Sequence, residues 1–91
     1  MSKHSISEEL LGSKWKIRLI KELINEGEIN ISALVKRSRS FFKNATAYLD
    51  FLKELGIVKE KRFGKVRIVI VNQNSETYVL LKRLLDILDK S

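Results

Sequence analysis

The sequence predicts a small, mainly α-helical protein of the α+β class, with one small β-hairpin and a long final helix. Three observations carry that expectation. Apolar residues recur three and four apart through residues 14–55 and again through 76–90, which is the period of a helix face. Between residues 57 and 71 the pattern changes to β-branched runs on either side of Phe63-Gly64. The chain has no proline, and Gly12, Gly27, Gly56 and Gly64 each stand alone where an apolar pattern breaks. Ninety-one residues leave room for one domain, so residues 1–91 are expected to fold together, as a core over 13–71 with an added helix over 75–90.

Each element has a local cause. Ser5-Ile6-Ser7-Glu8 has capping-box spacing, and Glu8 and Glu9 suit a helix N-terminus, so a short helix runs to Leu11. Gly12-Ser13 breaks it, and Ser13 is placed to cap the next helix. From Lys14 that helix presents Trp15, Ile17, Leu19, Ile20, Leu23 and Ile24, and Asn25-Glu26-Gly27 stops it with Gly27 in the left-handed cap position. Glu28-Ile29 suffices only for a strand stub. Asn30 caps a short helix over 31–37 whose Ile31, Leu34 and Val35 face inward. Ser38-Arg39-Ser40 is a tight polar break, after which Ser40 is placed as the next cap. Phe41, Ala45, Tyr48, Leu49, Leu52 and Leu55 then form a continuous inward stripe, ended by Gly56. Strands over 57–62 and 65–71 make the hairpin, with Gly64 supplying the positive φ of its turn. The polar break over 72–75 leads into the last helix, Glu76–Lys90. Trp15 and Tyr48 read as core anchors and His4 as a solvated terminal residue.

Composition excludes several classes of function. The absence of cysteine rules out disulfides, thiolate catalysis and cysteine-ligated metal, and the single histidine, His4, leaves no basis for a histidine site. No metal and no cofactor are expected. No paired-carboxylate, nucleophile–base or phosphate-loop arrangement is visible, and no glycine belongs to a GxGxxG pattern, so no enzyme is expected. No apolar run approaches the roughly 18 residues of a membrane span, and residues 1–11 lack the apolar stretch of a secretion signal. The expected location is cytoplasmic and nucleoid-associated. The charge is more informative. Eighteen Lys plus Arg stand against eleven Asp plus Glu, a net +7. Residues 36–43 hold Lys36, Arg37, Arg39 and Lys43 with no acid, and residues 59–67 hold Lys59, Lys61, Arg62, Lys65 and Arg67 against Glu60 alone. The rest of the chain is nearly balanced. Two short segments therefore carry the surplus. Brought together they suit a polyanion; kept apart they are two solvated faces that add solubility.

Two short helices separated by three residues, followed by a basic hairpin, are in the order of a winged helix-turn-helix. Residues 29–58 resemble winged-helix transcription regulators of the ArsR and MarR type. The most telling piece is Tyr48-Leu49-Asp50-Phe51-Leu52-Lys53-Glu54-Leu55-Gly56-Ile57-Val58. It is similar to the family's recognition-helix exit, in which spaced leucines precede the Gly-Ile-Val that opens the wing. Lys16-Ile17-Arg18-Leu19-Ile20-Lys21-Glu22-Leu23 is similar to the family's first core helix. The resemblance spans about residues 13–71. It implies a winged helix-turn-helix with double-stranded DNA as partner; the added C-terminal helix, expected to be a dimerisation helix, lies beyond it. Two departures matter. The cysteine and histidine ligands of metal-sensing ArsR proteins are missing, so metal sensing is not implied. Ser40-Phe41-Phe42 stands where the family usually shows small polar residues.

An α-helix fits the major groove of B-DNA, and its N-terminal residues reach base edges. The inward stripe over 41–55 leaves Phe42, Lys43, Thr46, Ala47 and Asp50 outward, with Asn44 at the edge and Ser40 at the head. Lys43 can donate to guanine or phosphate, Asn44 can pair with adenine, Thr46 can do either, and Ala47 leaves room for a thymine methyl. Phe42 has two readings, contact with a thymine methyl or sugar, or packing on the domain or a dimer mate. Asp50 is expected not to face a phosphate. Arg37 and Arg39, at the turn, are placed as phosphate clamps. In the wing, Lys61, Arg62, Lys65 and Arg67 can contact phosphate or the minor groove; charges there also discourage sheet-edge pairing.

The last helix carries more apolar surface than one packing face uses. Tyr78, Leu81, Leu84, Leu85 and Leu88 are expected at a homodimer seam, which residues 5–11 can join; the alternative is a helix folded wholly onto its own domain. The leading functional expectation is a dimeric, sequence-preferring DNA-binding transcription regulator acting by promoter occupancy. A second is an architectural or segregation protein that coats DNA with little specificity. A third, a winged-helix module that binds protein, is disfavoured by the concentrated charge.

Overall fold

The computed structural model describes residues 5–90, so His4 lies outside the described residues. The element order is α1 (Ile6–Leu11), α2 (Lys14–Glu26), β1 (Glu28–Asn30), α3 (Ile31–Ser38), α4 (Phe42–Glu54), β2 (Val58–Phe63), β3 (Val66–Val71) and α5 (Glu76–Lys90). Three polar caps act as their spacing predicts. The Ser5 Oγ accepts from the Glu8 N–H at 3.2 Å, the Asn30 Oδ1 from the Ala33 N–H at 2.8 Å, and the Ser75 Oγ from the Tyr78 N–H at 3.1 Å. Ser13 occupies the cap position of α2 without a side-chain bond to it. At the other end of α2, Gly27 adopts φ +74° and its N–H reaches the Leu23 carbonyl at 2.7 Å.

The strand stub does more than its length suggests. β1 pairs antiparallel with β3, whose other edge pairs with β2, giving a three-stranded sheet in the order β1-β3-β2. The register places Ile29, Val58, Val69 and Val71 on one face, and all four are buried. That face closes over a core built from Leu19, Ile20 and Leu23 of α2, Leu34 of α3, and Ala45, Tyr48, Leu49 and Leu52 of α4. α5 returns to the same core through Tyr78, Leu81 and Leu85. Tyr48 is buried and Trp15 half-buried against it, edge to face at 5.4 Å between centroids. The Tyr48 hydroxyl donates to the Leu10 carbonyl, tying α1 to α4, and burial pushes the phenol's pKa well above its usual value.

The start of α4 departs from expectation. Ser40 does not cap it. The cap residue is Phe41, extended at φ −89°, ψ 141°, with no side-chain cap bond. The Ser40 hydroxyl is committed to the Ser38 hydroxyl at 2.8 Å, so the helix begins one residue later. Phe41 therefore leaves the inward stripe, and it is 78% exposed.

Candidate nucleic-acid interface

The turn between α3 and α4 is fixed from several directions. Ser38 is fully buried, and its hydroxyl donates to the Leu34 carbonyl at 2.7 Å. Its own carbonyl accepts from the Arg18 Nε at 2.9 Å. Arg39 follows in the left-handed region, φ 54° and ψ 45°, the one described non-glycine residue with positive φ. A side chain there costs about 1–2 kcal/mol relative to a right-handed conformation. The Arg39 and Ser40 N–H groups close the α3 end on the Lys36 and Val35 carbonyls, each at 3.2 Å.

This turn sets α4 with its apolar stripe inward and Phe42, Lys43, Asn44, Ala47 and Asp50 exposed, the outward face expected for them. Thr46 is half-buried, and its hydroxyl donates to the Lys43 carbonyl at 3.1 Å, which leaves it only as an acceptor. Asp50 lies 3.4 Å from the Lys53 Nζ. Because Phe41 supplies no cap, the first N–H groups of α4 are open to an external anion.

The wing approaches the head of this helix. A cleft of about 390 Å³ is lined by Phe42 on one side and Lys65, Val66 and Arg67 on the other, with Asn30, Ile31 and Ser32 as its floor. A second cleft, about 430 Å³, brings Lys14, Arg18 and Arg39 around Ser40, Phe41 and Asn44. The two cation-rich segments thus flank the head of one helix. Lys14 and Arg18, one turn apart on α2, are basic neighbours that the sequence reading passed over. Their i, i+4 spacing places them on one face, but only the tertiary fold brings that face beside α4.

The cations differ in availability. Lys43, Arg39, Lys61 and Lys65 make no ion pair among the described residues. Arg37, expected as a phosphate clamp, pairs with Glu26 and lies 3.7 Å from Glu22, so a phosphate there competes with two carboxylates. Arg67, expected as a wing contact, holds Glu60 in a fork at 2.8 and 3.0 Å. The reason is the register. Val58↔Val71, Glu60↔Val69 and Arg62↔Arg67 share the inner face of the hairpin, which turns from apolar to ionic where it leaves the core. Glu60 also takes the Lys53 Nζ at 2.6 Å and lies 3.5 Å from the Arg62 Nε. The hydrogen bond from Arg67, with help from Lys53, lowers the Glu60 pKa to about 2 against the opposing effect of burial. The Arg67 pKa is raised by the same bond.

The seam residues divide. Tyr78, Leu81 and Leu85 are buried in the protomer's own core, which corrects their placement at a seam. One face of α5 is needed to complete the core, so three of the five residues are used there. Leu84 and Leu88 remain exposed, joined by Val79, Leu80 and Ile87. Leu80, Leu84 and Ile87 recur at i, i+4 and i+7, a second stripe that flanks the buried one. No described helix is long and apolar enough to cross a membrane, and no group of three metal-ligating side chains occurs among the described residues.

Helix α3, the fixed turn, helix α4 and the hairpin together make a winged helix-turn-helix. No protein-family model matches the chain, and no curated protein does. Solved structures do. A homodimeric winged helix-turn-helix DNA-binding domain from Mycobacterium bovis, described as a possible ArsR-family transcriptional regulator, is 18% identical with a TM-score of 0.66, over 94% of this chain and 91% of that one. The antimony-specific transcriptional repressor AntR is 14% identical with a TM-score of 0.67, over 100% and 91%. Sso10a-2, a DNA-binding protein from Sulfolobus solfataricus, is 14% identical with a TM-score of 0.63, over 96% and 84%. At these identities the likeness establishes the winged helix-turn-helix fold, which the sequence reading expected.

Proposed function

We propose that the chain binds double-stranded DNA as a homodimer, with sequence preference, and regulates transcription by occupying promoter DNA. The observation that carries this is the outward face of α4. Lys43, Asn44 and Ala47 have no packing role, and clefts on either side of the helix head bring in Arg39, Lys14 and Arg18 from one direction and the wing from the other. In this reading α4 lies in the major groove with Lys43 and Asn44 at base edges. Arg39 and the open N–H groups of α4 hold a phosphate, and Lys61, Arg62 and Lys65 follow the adjacent backbone. The exposed stripe of Leu80, Leu84 and Ile87, with Leu88 beside it, forms the dimer seam. The homodimeric Mycobacterium bovis domain supports that part by likeness of fold.

Selection of bound sequences from a random duplex pool tests the whole reading. A palindromic consensus is expected, with half-sites about one helical turn apart. Failure to retain any duplex overturns the proposal. Arg62→Ala should weaken binding to all sequences and reduce the salt-dependence slope by about one unit. An unaltered slope removes the wing from the interface.

The likeness to Sso10a-2 favours one second reading, a protein that coats DNA with low specificity. Excess random DNA separates the two. A regulator keeps a site-specific complex, whereas a coating protein loses it and gives extended footprints.

A further inference from the structure

The tip of the wing carries an apolar pair that the fold does not use. Phe63 is 61% exposed and its cross-strand partner Val66 is 50% exposed. They are the last pair of the hairpin, on the face opposite Val58, Val69 and Val71, which close the core. The turn beyond them is open. Gly64 has φ +60°, and a Cβ built there would meet nothing within 4 Å.

We propose that Phe63 is a wedge that enters a base step of duplex DNA through the minor groove, unstacks it and bends the duplex. This rests on the DNA-binding reading above and goes beyond it. Three observations support DNA as the occupant. First, the pair is ringed by cations. Lys61 and Lys65 make no ion pair among the described residues, and the Arg62 side chain is 67% exposed. That ring suits a groove bordered by phosphates, and it repels the same surface of a second copy. Second, the shape fits. A two-stranded hairpin has its strands about 4.8 Å apart, and a B-form minor groove is about 6 Å wide, so only a tip enters and the exposed phenyl is at that tip. Third, the chemistry differs from that of the cations around it. Lysine and arginine are satisfied at phosphates, but a phenyl ring gains only where water is excluded, and between base pairs it is sandwiched by π-faces. Wedges of this kind bend DNA by about 20–90° and act most readily at pyrimidine–purine steps.

The test uses the full chain and a duplex of about 30 base pairs with one TpA step in each helical turn, labelled with a donor and an acceptor at its ends. In parallel duplexes 2-aminopurine replaces the adenine of each TpA step. Binding by the wild-type protein should raise end-to-end energy transfer and raise 2-aminopurine emission at one or more of those steps. Phe63→Ala should lose both signals while keeping the salt slope of binding. Phe63→Leu, which preserves an apolar wedge, should restore most of each. Arg62→Ala should weaken binding but leave the bend of the saturated complex. Emission from Trp15 verifies that each variant is folded. Binding with equal energy transfer for wild type and Phe63→Ala overturns the wedge and leaves the DNA-binding reading intact. Absence of binding by the wild type overturns both.

Discussion

Glu60→Gln is the sharpest perturbation of the wing. The Glu60 side chain is 10% exposed and faces Arg67, Lys53 and Arg62 at once. Its pKa falls from the ordinary 4.5 to about 2, chiefly through the hydrogen bond from Arg67. A shift of that size corresponds to about 3 kcal/mol favouring the ionised folded state. Arg67 and Lys53 are 24% and 32% exposed, so solvent screening reduces the expected contribution to about 2 kcal/mol. The sign follows from the direction of the shift. The folded-state pKa is depressed, so between about pH 2 and 4.5 the unfolded chain binds the extra proton. The contribution is complete above the unfolded value and disappears as pH falls through the folded one. Urea unfolding followed by Trp15 emission, at one protein concentration, should show Glu60→Gln about 2 kcal/mol less stable at pH 7. The difference should shrink through pH 3.5 and approach zero only below about pH 2, where a protonated glutamate and a glutamine are near isosteres. A difference independent of pH would refute the assignment of that energy to the charged cluster.

The other predictions address the helix head and the seam. Lys43→Ala should reduce discrimination between selected and random DNA by about 1–3 kcal/mol in competition assays if the ammonium reads a guanine; equal losses on both would place it on a phosphate. Arg39→Gly should raise thermal stability by about 0.5–1 kcal/mol by removing a side chain from the left-handed region. It should also weaken binding to every DNA tested, so a variant that lost stability would contradict the strained turn. Leu84→Glu should weaken self-association at least tenfold, or about 1.4 kcal/mol, in sedimentation equilibrium while leaving the helical content intact. A change of self-association on Leu84→Glu smaller than twofold would exclude the outer stripe of α5 from the seam.

The helices were legible because their signals are local. Caps at Ser5 and Asn30, isolated glycines and apolar spacing name each one without reference to the rest of the chain. What was missed depends on distant partners. Glu28-Ile29 reads as a stub because so short a segment cannot establish an alternation, yet a free edge on β3 makes it a strand. Ser40 has the chemistry of a cap, but the buried Ser38 hydroxyl takes it first. Arg67 reads as one more wing cation until register sets it across from Arg62 and beside Glu60. Periodicity likewise shows that α5 is too apolar for one face, but it does not show which leucines the protomer keeps. The candidate interface was legible as two basic runs and an outward helix face, while Lys14 and Arg18 join only through tertiary packing.

The second, exposed stripe of α5 links the stability of the fold to the geometry of the proposed DNA interface. One side of the helix is spent on Tyr78, Leu81 and Leu85, so the protomer cannot turn its second stripe inward without giving up its own core. The stripe of Leu80, Leu84 and Ile87 is therefore presented in a fixed orientation relative to α4. In a two-fold dimer the separation of the two α4 helices is set by the position of the axis, which a seam on this stripe would fix. A seam on the wing or on the head of α4 would cover the cations that the proposed interface needs. A seam on α5 uses none of those residues.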